Sequence, residues 1–134
     1  MLLLQAQVRH RNFIESIGSL VQASIFSLKD TIVQISRCSF DIHMQDIVGA
    51  LIVGSGLVML RPKGTMDFDY LAGLLEKKQI SFMHIVPTLV NSLFNYLIEN
   101  GIVSSVATLR SLCSIGELYS IKIKVFILFS FDQF

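Results

Sequence analysis

Short apolar runs alternate with helix-length stretches along this chain, and that alternation leaves few folds open. Phe13, Ile14, Ile17, Leu20, Val21 and Ile25 recur at the spacing of one helix face. Lys29-Asp30 interrupts them, and Thr31-Ile32-Val33-Gln34-Ile35 is short and β-branched, as a strand requires. Asp41 to Val53 has helical length again, and Gly54-Ser55-Gly56 stops it ahead of a second buried strand, Leu57 to Leu60. Arg61-Pro62-Lys63-Gly64 is a turn. Thr65 or Asp67 is placed to cap the next helix, whose apolar face is Phe68, Leu71, Ala72 and Leu75. Ile80 to Val86 reads as a third strand, and Pro87 suits the first turn of a helix that Asn100-Gly101 ends. Leu109 to Ile115 contains a fourth strand, followed by a last apolar segment.

Strands separated by helices, and apolar along nearly their whole length, predict an α/β fold with a parallel sheet covered on both faces. Ligands in such sheets bind beyond the carboxyl ends of the strands. Those ends are Ser36–Asp41, Leu60–Gly64, His84–Pro87 and Ser114–Glu117.

Composition narrows the function classes. Of 134 residues 52% are hydrophobic, which suits a packed core rather than disorder. The 11 basic and 10 acidic residues leave a net charge of +1, so there is no electrostatic footprint for nucleic acid or an anionic membrane. The charge-free stretch Ile47–Leu60 falls short of the roughly 20 residues a spanning helix needs, and glycines interrupt it. Met1-Leu2-Leu3-Leu4-Gln5 lacks the basic start and cleavage site of a signal peptide, so a cytoplasmic location is expected. The two cysteines, Cys38 and Cys113, are far apart and read as buried free thiols rather than a disulfide or zinc site.

Four segments in order carry a resemblance. Ser39-Phe40-Asp41 opens a helix continuing through Asp46-Ile47-Val48-Gly49-Ala50-Leu51. Phe68–Leu75 follows a glycine-bounded strand. Ile80-Ser81-Phe82-Met83-His84-Ile85-Val86-Pro87-Thr88-Leu89 comes next, and then Leu109-Arg110-Ser111-Leu112-Cys113-Ser114-Ile115-Gly116-Glu117. The succession resembles the adenylation domains of nonribosomal peptide synthetases, members of the acyl-adenylate-forming superfamily. It covers about residues 7–120, with 121–134 a divergent tail.

The resemblance implies part of the large N-terminal domain of an enzyme that joins an amino-acid carboxylate to ATP and releases pyrophosphate. It implies ATP and Mg2+ as cofactors of the full-length family. Its partners are the amino acid and a carrier-protein phosphopantetheine. Asp41 holds the position of the aspartate that binds the substrate α-ammonium; a helix N-terminus favours a negative charge there, and from the residues alone a plain helix cap explains it too. By position, Ile42, Gln45, His84, Cys113 and Ile115 match the side-chain pocket, although each also suits ordinary packing, and His84 could be a satisfied buried imidazole. Ser114-Ile115-Gly116-Glu117 resembles the Gly-Gly-Glu turn near the adenine, making Gly116 and Glu117 nucleotide-proximal. Ile115 replaces the first glycine, and a β-branched residue resists the positive φ such a turn can need.

The family's Thr/Ser/Gly-rich phosphate loop ending in Pro-Lys-Gly is expected just before Val8, where Met1–Gln7 holds no Gly, Ser or Thr. Pro62-Lys63-Gly64 has the wrong place in the order and no such run before it. The magnesium-binding glutamate motif, the ribose-binding aspartate and the C-terminal catalytic lysine are also not matched. The sequence therefore reads as an internal piece of an adenylation domain, inactive alone. The alternatives are a non-catalytic interaction module that keeps the fold, an acyl-CoA synthetase-like fragment, and a small membrane-associated protein.

Overall fold

A computed structural model describes residues 7–114. Ile115, Gly116, Glu117, the segment after the fourth strand and the tail at 121–134 lie outside the described residues. Eight main elements alternate: α1 (His10–Gln22), β1 (Thr31–Gln34), α2 (Asp41–Val53), β2 (Gly56–Met59), α3 (Phe68–Lys77), β3 (Phe82–Ile85), α4 (Pro87–Glu99) and β4 (Ser111–Ser114). Short 3-10 turns at Gly64–Met66 and Val103–Val106, which sequence patterning did not anticipate, lead into α3 and out of α4.

The boundaries follow local chemistry. Asp67 caps α3 by accepting the Tyr70 backbone N–H at 3.1 Å. Pro87 opens α4, where its missing N–H costs nothing. Gly54 ends α2 with φ of +80°, a conformation that a Cβ would strain.

The four strands form one parallel sheet in the order β2-β1-β3-β4. Side chains alternate between its faces. Val33, Ile35, Met83 and Ile85 pack against Leu71, Ala72 and Leu75 of α3 and Val90, Leu93 and Leu97 of α4. Ile32 and Phe82 pack on the other face, with Ile17 of α1 and Ala50 of α2. The first helix buries less than its periodicity suggested. It stops at Gln22, Ile17 is its one fully buried residue, and Ile14 and Val21 stay exposed because α1 packs narrowly over α2. That packing requires Gly49, where an added Cβ would lie 2.8 Å from the Ile17 side chain.

Strand order fixes where a ligand can enter. β1 and β3 are neighbours, yet α2 leaves β1 on one face and α4 leaves β3 on the other. Their carboxyl ends therefore flank a crevice at a topological switch point.

Candidate functional site

Ser36–Phe40 connects β1 to α2 across this crevice. The connection is tied down by side chains: the Gln34 amide donates to the Ser36 carbonyl, and His43 Nδ1 lies 2.9 Å from Gln34 Nε2 and 3.3 Å from the Ser36 carbonyl oxygen. Phe40 is the extended N-cap residue of α2, and Asp41 is its first helical residue. Asp41 is thus not the cap, although one carboxylate oxygen accepts the Ile42 backbone N–H at 3.0 Å.

A cleft of about 580 Å3 opens here, at the ends of β1 and β3. Its walls are largely apolar, with Ile35, Ile42, Ile85 and Leu89 prominent, and its polar groups include Arg37, Asp41 and Thr65. This is the usual build of a small-molecule site, with apolar walls and a few convergent polar groups. Thr65 is delivered by the Gly64–Met66 turn, after Lys63 takes a positive φ of 64°. The turn is braced by the Arg61 guanidinium, which stacks 4.3 Å from the Tyr70 ring centre and pairs with Asp67. The backbone hydrogen bond to Tyr70, and then Arg61, hold the Asp67 carboxyl below its ordinary value.

Asp41 also borders a second cleft of about 550 Å3 between α1 and α2, which includes Gln45 and Val48. The expected site residues therefore divide. Asp41 and Ile42 share the strand-end cleft, while Gln45 faces the α1–α2 cleft. His84 and Cys113 are cross-strand partners on β3 and β4, on the sheet face that α1 and α2 cover. Ile115, Gly116 and Glu117 are outside the described residues.

His84 is 3% exposed. Its Nδ1 lies 2.6 Å from an Asp46 carboxylate oxygen, its ring meets Phe82 edge-on at 4.7 Å, and it is hydrogen-bonded to the Cys113 thiol. Burial alone would pull the imidazole down; the bonds to Asp46 and Cys113 outweigh it and push His84 up to about 9. Burial also raises the Asp46 carboxyl, with His84 opposing. Both shifts mean that the folded pair holds protons more tightly than separate groups would.

Asp46 is the residue that motif matching passed over. Its signal was present: one carboxylate inside the otherwise apolar Asp46–Val53 run, which must find a partner if buried. The cysteines depart from expectation as well. Cys38 is exposed, because it stands in the β1–α2 connection rather than in an element, and Cys113 is half-buried. Both are free thiols.

Among the described residues, no three His, Cys, Asp or Glu side chains converge as metal ligands. No helix among them is long and apolar enough to cross a membrane.

Comparison with known proteins decides the family. The sequence profile of the AMP-binding enzyme family matches residues 6–127. The chain belongs to the AMP-binding enzyme family. It is 33% identical over 114 residues to bacitracin synthase 1 of Bacillus licheniformis, covering 85% of this chain and 2% of that protein. It is 37% identical over 92 residues to bacitracin synthase 3 of the same organism, covering 69% of this chain and 1% of that one. The fold matches the crystal structure of the nonribosomal peptide synthetase FmoA3 with a TM-score of 0.74 at 24% identity, over 84% of this chain and 12% of that one. The expected resemblance to nonribosomal peptide synthetase adenylation domains is therefore borne out, as is the α/β fold. The chain spans about 2% of the length of bacitracin synthase 1.

Proposed function

We propose that this chain carries the amino-acid-recognising part of an adenylation site. In the complete reaction a carboxylate attacks ATP, an acyl adenylate forms and pyrophosphate leaves. The thioester-forming partner would be a carrier-protein phosphopantetheine. The observation that supports the reading is the place of Asp41: first residue of α2, lining the cleft at the switch point between β1 and β3.

There the Asp41 carboxylate accepts a charge-assisted hydrogen bond from the substrate α-ammonium. The positive end of α2 favours the carboxylate's charge. Ile42 supplies apolar wall. Gln45, His84 and Cys113, with Ile115, are assigned to the side-chain pocket by family position, and Gly116 and Glu117 to the nucleotide side. His84 contributes as a fixed group rather than a mobile one, because Asp46 holds it. ATP brings the phosphoryl chemistry. No Gly/Ser/Thr-rich phosphate loop of the family's kind stands among these 134 residues, so the chain binds substrate without activating it.

ATP–pyrophosphate exchange with pooled amino acids tests this. No exchange above an Asp41→Ala control is expected. Asp41-dependent exchange would overturn the recognition-only reading, because the chain would then be handling the phosphates itself.

A further inference from the structure

Asp41 does not hold its own place. Among the described residues, its carboxylate bonds only to the backbone N–H of Ile42, one residue on. The helix that carries it starts at Phe40 without a side-chain cap. The position of Asp41 at the cleft is therefore the position of the start of α2, and another group must fix that start.

Gln34 is placed to do so. It is the last residue of β1 and is half-buried. An amide nitrogen donates two hydrogen bonds and accepts none. Gln34 donates to the Ser36 carbonyl in the β1–α2 connection, and its Nε2 lies 2.9 Å from Nδ1 of His43 in the first turn of α2. Nδ1 is then the accepting nitrogen, and the His43 ring proton sits on Nε2. The Ser36 carbonyl oxygen, 3.3 Å from Nδ1, is an acceptor as well, so both depend on the one Gln34 amide. A single side chain thus joins the strand end, the connection and the helix start. Between its two anchor points the Phe40 N–H donates to the Arg37 carbonyl at 3.0 Å and the His43 N–H to the Phe40 carbonyl at 3.1 Å. These bonds stiffen the short span, so a shift at either anchor is passed on to Asp41.

We propose that Gln34 is a positioning residue for substrate recognition: through Ser36 and His43 it fixes the start of α2, and with it the Asp41 carboxylate, at the cleft. The inference rests on the reading of Asp41 as the ammonium-binding group. Gln34 does not line the cleft and acts only through the groups it holds.

The test uses the full chain and two readouts. Amide hydrogen exchange without ligand reads the clamp. In Gln34→Leu, which has similar bulk and no donor, the Phe40 and His43 amides should exchange about tenfold faster, while those of α4 stay unchanged. Calorimetric titration with the standard L-amino acids and their des-amino analogues reads the consequence. An amino acid that binds the wild type should bind Gln34→Leu about tenfold more weakly. Its des-amino analogue, which has no ammonium for Asp41, should bind both chains equally. His43→Leu removes the acceptor from the α2 side and should act in the same direction in both readouts. His43→Asn, whose side-chain oxygen can accept from Gln34, should behave like the wild type.

Unchanged exchange at Phe40 and His43 in both leucine variants would overturn the proposal and leave the Asp41 reading standing. Equal weakening of amino acid and des-amino analogue in those variants would do the same, because Gln34 would then support the fold and not Asp41. Wild-type binding that is absent, or equal for amino acid and des-amino analogue, would overturn the Asp41 reading and the proposal with it.

Discussion

Asp46 on α2 and His84 on β3 are joined by a 2.6 Å hydrogen bond across 38 residues of sequence, with both side chains almost wholly sealed from water. The bond ties the helix that begins with Asp41 to the strand whose end forms the opposite wall of the cleft. Removing one partner of a buried charged pair leaves the other uncompensated. Asp46→Ala should therefore cost about 3 kcal/mol in urea unfolding. A loss within experimental error would show that the pair is not formed in solution.

The same pair sets an alkaline limit on stability. His84 is raised from its ordinary value of 6.5 to about 9 in the fold. Its contribution is fully present below pH 6.5 and is lost as pH rises through about 9, because the folded state binds the proton more tightly than the unfolded chain. Asp46, also raised, acts with the same sign. The urea midpoint should fall between pH 6.5 and 9.5 in the wild type and fall much less in Asp46→Asn. A midpoint flat across that range would contradict the assignment.

Asp30 governs the acid limb with the opposite sign. It accepts from the Ser27 backbone N–H at 2.7 Å, the Ser81 hydroxyl at 2.7 Å and Arg110 Nη2 at 2.6 Å, fastening the starts of β1, β3 and β4 together. Burial pushes its carboxyl up, but Arg110 and the serine donors outweigh that and hold it below 3.8. Its contribution is present above pH 3.8 and is lost as pH falls through the lower folded value. Arg110→Ala should cost about 2 kcal/mol near neutrality, since the serine donors remain, and should flatten the loss of stability on acidification. Urea midpoints measured from pH 7 to 3 check both statements.

Two glycines in helices should respond oppositely to alanine. Around Gly18 of α1 a Cβ meets nothing within 4 Å, so Gly18→Ala should stabilise by about 0.5–1 kcal/mol through helix propensity. At Gly49 the new Cβ would crowd Ile17 at 2.8 Å and Phe26 at 3.1 Å, and overpacking of about 1–3 kcal/mol outweighs the same gain. Thermal unfolding of the two variants reads the difference. Equal stabilisation would mean that α1 does not seat on α2.

Exposed apolar surface should make the chain self-associate. Leu51 and Ile52 on α2 and Met59 on β2 are 75%, 53% and 61% exposed, and β2 is an edge strand of the described sheet. Light scattering should show particles larger than a monomer at concentrations where Leu51→Lys with Met59→Lys shows fewer. A monodisperse wild-type monomer would contradict this.

The secondary structure was legible because its signals are local. Asp41–Val53 coincides with α2, Pro87 opens α4, and Gly54 and Asn100-Gly101 stop helices as their chemistry dictates. The strand order was not legible, since nothing local in Thr31–Gln34 states that its neighbours are β2 and β3. That order is what selects one pair of strand ends as the crevice. It explains why Asp41 and Ile42 meet in one cleft while Gln45, one helical turn on, faces another. The Asp46–His84 pair was half legible: the lone buried charge signals a partner, but choosing His84 requires knowing that α2 covers the face on which His84 points.

The most direct test of the account is amide NMR mapping of the full chain titrated with L-amino acids. Shifts should concentrate at Ser36–Ile42 and Ile85–Leu89, saturate for at least one amino acid and be abolished in Asp41→Asn. Shifts that persist unchanged in Asp41→Asn, or that fall away from these two strand ends, would contradict it.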